Sequence, residues 1–123
     1  MIKNGFTNYW PILNDLRDYM GSANMTPGTV SVNGSVGFGL DRFNNTDGAI
    51  LLNNSYYMLP TRVYFSGDFT ILAWVKLITY SSNSRLIDCG NGASSDNIIA
   101  TVSNGNSGMP YIRVFNGISN LMI

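Results

Sequence analysis

Neutral-pH catalysis usually draws on His, on Glu, or on a nucleophile beside a base. This chain of 123 residues has no His and no Glu. The usual general base, proton shuttle and imidazole metal ligand are therefore missing. Carboxylate chemistry falls to seven Asp, of which only Asp15 and Asp18 lie within four residues of each other, on an expected turn. Cys89 has no His to activate it and no second Cys for a zinc site or an internal disulfide. It follows Leu86-Ile87 in an expected strand, which suits a buried thiol, with an intermolecular bridge as the alternative. The inventory predicts a protein that is not an enzyme.

Two other constellations could hold something. Asp88, Asp96 and Asn97 place hard oxygens on expected loops, a set that suits Ca2+, although Asp and Asn also favour turns for local hydrogen-bonding reasons. No cofactor is required, and Ca2+ is the one the residues would accept. The Gly-rich pieces 34–39 and 90–92 are not followed by a helix-and-Lys phosphate signature and read as turns. Four sequons, at Asn24, Asn33, Asn44 and Asn53, are glycosylation candidates if the chain follows a secretory route, in a composition rich enough in Asn, Ser and Thr to produce several by chance.

The elements that must position these residues are strands. There is no Gln either, with only two Lys and five Ala, so helix-favouring surface residues are scarce, while Val, Ile, Thr, Tyr, Phe and Trp total 41. Short apolar runs recur between Gly, Asn and Ser turns, the pattern of a sandwich rather than of alternating βαβ units. Strands are expected near 8–12, 29–33, 36–43, 48–53, 56–60, 68–78, 84–89, 96–103, 110–116 and 118–123. Over 11–20, a short helix competes with the first of these, since Trp10, Leu13, Arg17 and Met20 fall at helical spacing and Pro11 suits a first turn. In 68–78, Phe69, Ile71, Ala73, Val75 and Leu77 alternate on one face and Leu72 and Trp74 occupy the other, which predicts a central strand.

Near the C-terminal end, Asn116-Gly117 between two apolar runs is a hairpin signal. The final run puts Ile118, Leu121 and Ile123 on an apolar edge that another strand would cover. One domain over 1–123 is expected from the length.

Charged residues make up 11% of the chain, against about 25% in typical soluble domains, and they cancel. The seven basic residues are scattered singly, so neither nucleic acid nor an anionic membrane surface is an expected partner. No apolar run approaches the ~18 residues of a membrane span, and the first residues lack a signal peptide's apolar core. So little charge also protects weakly against self-association.

Several motifs in order give a family resemblance. Gly67-Asp68-Phe69-Thr70-Ile71-Leu72-Ala73-Trp74-Val75-Lys76 resembles the "FT-x-x-x-WVK" strand of laminin-G-like domains in the concanavalin A-like lectin/glucanase superfamily. Upstream, Tyr9-Trp10-Pro11-Ile12 with Asn14-Asp15 and Asp18 and Gly21 resembles that family's "YWPF…ND…D-x-x-G" opening. Gly37-Phe38-Gly39-Leu40-Asp41-Arg42-Phe43 resembles its "G-x-G-L-x-F-x-G" segment, and Arg85-Leu86-Ile87-Asp88-Cys89-Gly90-Asn91-Gly92 the strand and turn that follow, with Cys89 where an aromatic is common. The resemblance implies an all-β, two-sheet antiparallel β-sandwich, a jelly roll that lacks the family's last strands and is completed by a neighbouring chain or by further sequence. The glucanases of this superfamily carry a Glu pair, which this chain cannot supply.

The implied function is that of a secreted, extracellular, non-catalytic binding or adhesion module for a glycan or an extracellular protein. Trp74, Tyr56, Tyr57, Tyr64, Tyr80 and Tyr111 are its ligand-binding candidates, although Tyr and Trp in a sandwich are commonly structural. The alternative is a structural subunit of an extracellular filament or coat, self-assembled through strand pairing between chains.

Overall fold

The computed structural model describes residues 5–29, 32–79, 81–82, 84–90, 97–103, 108–115 and 120–122. They form eight strands and no helix, so the protein is all-β, with antiparallel pairing throughout. The backbone divides into two compact units, 1–69 and 70–123.

The first unit holds β1 (Thr26–Thr29), β2 (Ser35–Gly39), β3 (Ala49–Asn53) and β4 (Ser55–Met58). β2 pairs with β3, and β1 pairs with β4 outside them, so the four strands run as one long ribbon folded at residues 40–48. The two ladders are separate: one ends where Thr29 faces Ser55 and the other where Ser35 faces Asn53. At this step the Ser55 hydroxyl donates to the Ser35 carbonyl, tying the two ladders together. On the outer pair, the Tyr56 ring lies across Gly28, where a Cβ would come within 2.5 Å of it. Any side chain at position 28 would require that ring to move.

Residues 8–12 make no strand, and 11–20 make no helix. Ile12 and Asn14 both sit at φ 56°, in the left-handed region, which ends either regular structure. What forms instead is a compact loop, with Tyr19 N donating to Tyr9 O (2.8 Å), Met25 N to Leu16 O (2.9 Å) and Trp10 Nε1 to Ala23 O (2.7 Å). Ala23 is fully buried beneath it.

The second unit is a meander, β5 (Ser84–Cys89), β6 (Ile98–Ser103), β7 (Tyr111–Phe115) and β8 (Asn120–Met122), in that spatial order. Two register shifts on the β5–β6 pair leave Leu86 and Val102 without opposite residues, so the strand keeps its alternation beyond them. β6 is an interior strand, flanked by β5 and β7, and Asn97, Ile99, Ala100 and Thr101 are buried on it or beside it. The Thr101 hydroxyl finds no hydrogen-bond partner among the described residues. Thr101→Val keeps the shape and removes the unpaired group, so it is expected to raise stability by about 1 kcal/mol. An unchanged or lower denaturation midpoint would contradict this reading of the site.

The expected C-terminal hairpin is present, but its register is wider than Asn-Gly alone implies. Phe115 faces Asn120, so residues 116–119 separate the two paired positions. Of the expected assembly edge, Leu121 lies on β8, which among the described residues pairs with β7 alone; Ile118 and Ile123 lie outside the described residues.

The expected central strand over 68–78 does not form: residues 70–77 join no ladder among the described residues. Trp74 is 81% exposed and Leu72 74%. Alternation specifies which side chains share a face, while a strand apolar on both faces is held only by strands paired to either side, and none pairs with it among the described residues. The remaining strands fall within a few residues of their expected places, apart from the first of the ribbon, which begins at Thr26 rather than 29. The jelly-roll arrangement of two facing sheets stays an expectation.

Candidate functional site

The most heavily hydrogen-bonded polar group described is the Asp18 carboxylate. Its side chain is wholly buried. Oδ1 accepts from Tyr9 N (3.0 Å) and Met20 N (3.1 Å), and Oδ2 from Asn8 Nδ2 (2.6 Å) and Ala23 N (3.2 Å). The backbone N of Asp18 in turn donates to Asn24 Oδ1 (3.0 Å). Gly21 explains the Asp-x-x-Gly spacing, because a Cβ there would sit 2.8 Å from Oδ2. Burial pushes the Asp18 carboxyl up, but the hydrogen bonds from Tyr9, Asn8, Met20 and Ala23 outweigh it and bring the pKa down to about 2. Asp18 is a buried anion held by its loop.

Arg62 faces that anion from the surface. Its Nη2 lies 3.6 Å from Asp18 Oδ2, its Nη1 3.5 Å from the Ser22 hydroxyl, and its guanidinium carbon 4.9 Å from the centre of the Tyr64 ring. Tyr64 is fixed in turn by its hydroxyl, which donates to Pro60 O at 2.7 Å. Together with Thr7, Asn8, Val63 and Ser66, these two side chains line an open groove of about 350 Å³. An ordered guanidinium stacked on a phenol, beside two hydroxyls and an amide, can bind a ligand through planar hydrogen bonds and a ring face.

Of the ligand-binding candidates, only Tyr64 lines this groove. Tyr56 and Tyr57 are successive residues of β4 and point to opposite sides of it, Tyr56 exposed and Tyr57 half-buried. Burial raises the Tyr57 pKa. Trp74 and Tyr111 belong to the second unit, and Tyr80 lies outside the described residues. Tyr111 shares a face of β7 with Arg113 and Phe115, whose ring centres lie around the guanidinium at 5.1 Å for Tyr111 and 5.5 Å for Phe115.

For the calcium set, Asp88 and Asn97 are brought together at Gly90: a Cβ there would be 3.1 Å from Asp88 Oδ1 and 3.2 Å from Asn97 Oδ1. The other Asp88 oxygen is paired with the Arg85 guanidinium, and Asp96 lies outside the described residues. Cys89 is half-buried, and burial followed by the Asp88 charge raises its pKa. Asn24, Asn33, Asn44 and Asn53 are all exposed. No helix among the described residues is long and apolar enough to cross a membrane.

Sequence reasoning passed over Arg62, which looked like one more scattered cation. The available signal was Asp18, whose Asp-x-x-Gly context pointed to a structured loop and therefore to a buried charge needing a counter-charge. In comparison with known proteins, the chain matches no family model, and neither curated proteins nor solved structures give a match.

Proposed function

We propose that this protein is a non-catalytic extracellular recognition module that binds a glycan or an extracellular protein. The observation that carries the reading is the groove of the first unit, in which Arg62 is oriented by Asp18, Ser22 and Tyr64 before any ligand arrives. Preorganised aromatic and guanidinium groups lose little freedom on binding, which favours recognition. The motif resemblance to laminin-G-like domains supports the same role and a jelly-roll arrangement, and the lack of His and Glu supports the absence of catalysis. Calcium at Asp88 and Asn97 and glycans on the four exposed sequons are compatible additions to this role. The test is saturable binding of the labelled protein to arrays of glycans and matrix proteins, with bound ligands then checked by mass spectrometry. Saturable binding to unaltered ligand is expected; ligand turnover, or no saturable binding, would overturn the reading.

A second reading, a structural subunit that self-assembles by strand pairing, is favoured by one observation. Residues 69–78 carry the most regular strand pattern in the chain, join no ladder among the described residues, and expose Phe69, Leu72, Trp74, Val75 and Ile78. A strand from a second copy would cover such a segment.

A further inference from the structure

We infer that the Arg62–Tyr64 groove is a subsite for an uncharged sugar ring, a neutral hexose unit rather than an acidic or amino sugar. The inference rests on the recognition reading and names the ligand class that this groove would take. Charge decides the class. Among the described residues, Arg62 is the only charged side chain lining the groove, and its counter-charge is already present in Asp18, enclosed and ionised through the neutral range. A carboxylate or sulfate ligand would have to draw Arg62 away from a buried anion, leaving that anion with less compensation. A cationic ligand would meet Arg62 itself.

The remaining lining suits hydroxyl groups. Thr7 and Ser66 each offer a hydroxyl that can donate or accept, and Asn8, whose Nδ2 is committed to Asp18, has its carbonyl oxygen as acceptor. Arg62 supplies N–H donors in a fixed plane. Val63, 80% exposed, and the Tyr64 ring supply the apolar surface on which the C–H face of a sugar packs. The groove is open rather than enclosed, so a unit within an oligosaccharide chain could lie across it with its neighbours extending into solvent.

The experiment is an amide-resolved NMR titration of the intact chain with methyl hexopyranosides of gluco, galacto and manno configuration, and with glucuronate and glucosamine as charged counterparts. At least one neutral glycoside is expected to give saturable shifts at Thr7, Asn8, Val63, Tyr64 and Ser66, with affinity at least about fivefold above either charged sugar. Arg62→Met is expected to weaken it by about tenfold. If that variant loses its dispersed spectrum, the double variant Thr7→Val with Ser66→Ala replaces it, with a loss of at least fivefold expected. Tighter binding of glucuronate or glucosamine, or neutral-sugar shifts confined to other residues, would overturn the inference while leaving a recognition role intact. No saturable shift anywhere with any sugar would also overturn it, and the matrix-protein arrays then decide the broader reading separately.

Discussion

Asp18→Asn is expected to destabilise the protein by about 3 kcal/mol or more, a large part of the 5–15 kcal/mol by which domains of this size are stable. The substitution preserves shape, so the loss reports chemistry. Oδ1 accepts from the backbone of Tyr9 and Met20; Oδ2 accepts from Asn8 and Ala23 and faces Arg62. Whichever way an amide is turned, its NH2 meets at least two donors, leaving buried N–H groups unpaired. The same hub sets an acid limb. The folded-state pKa of about 2 lies below the ordinary carboxyl value of 3.8, so the folded form binds the Asp18 proton more weakly than the unfolded chain. The resulting stabilisation, about 2 kcal/mol, is fully present above pH ~4 and is lost as pH falls towards 2. Denaturant titrations at pH 7 and pH 2.5 are expected to show this loss in the parent chain and its absence in Asp18→Asn. A cost below 1 kcal/mol at pH 7 would refute the hub.

The second large contrast concerns 68–78. With Leu72 and Trp74 exposed, the double substitution Leu72→Lys with Trp74→Lys is expected to change the stability of the monomer by less than about 0.5 kcal/mol. Were the segment a central strand, burying two lysines there would cost several kcal/mol and leave no folded protein. Sedimentation velocity on the same variant addresses assembly: strand pairing through this segment predicts an oligomer in the parent chain that becomes monomeric in the variant. An unfolded variant would contradict the exposed placement, and an unchanged association state would remove the segment from any assembly.

The two cases show what was legible in the sequence. β5 and the β7–β8 hairpin were readable because alternation and turn chemistry are local, and both act within a few residues. The register of that hairpin was not, since a turn dipeptide marks the reversal without deciding that Phe115 faces Asn120. The 68–78 segment was misread because a partner strand, rather than periodicity, makes a ladder. The left-handed backbone at Ile12 was also invisible, because a β-branched residue is adopted there only under the constraint of its surrounding loop. At the candidate site, Tyr64 was chosen for its ring alone, whereas its significance comes from Arg62, two residues away, and from Asp18, far away in sequence. The pairing of a buried anion with a surface cation is a tertiary fact.

The recognition reading is tested most directly by equilibrium binding of the parent chain and Arg62→Met, side by side, to the array ligand the parent chain binds best, with both proteins shown to be folded. A loss of at least about tenfold in affinity is predicted for Arg62→Met. Equal affinities would contradict the account, because binding would then bypass the Arg62–Tyr64 groove, whose charge and geometry are fixed in advance.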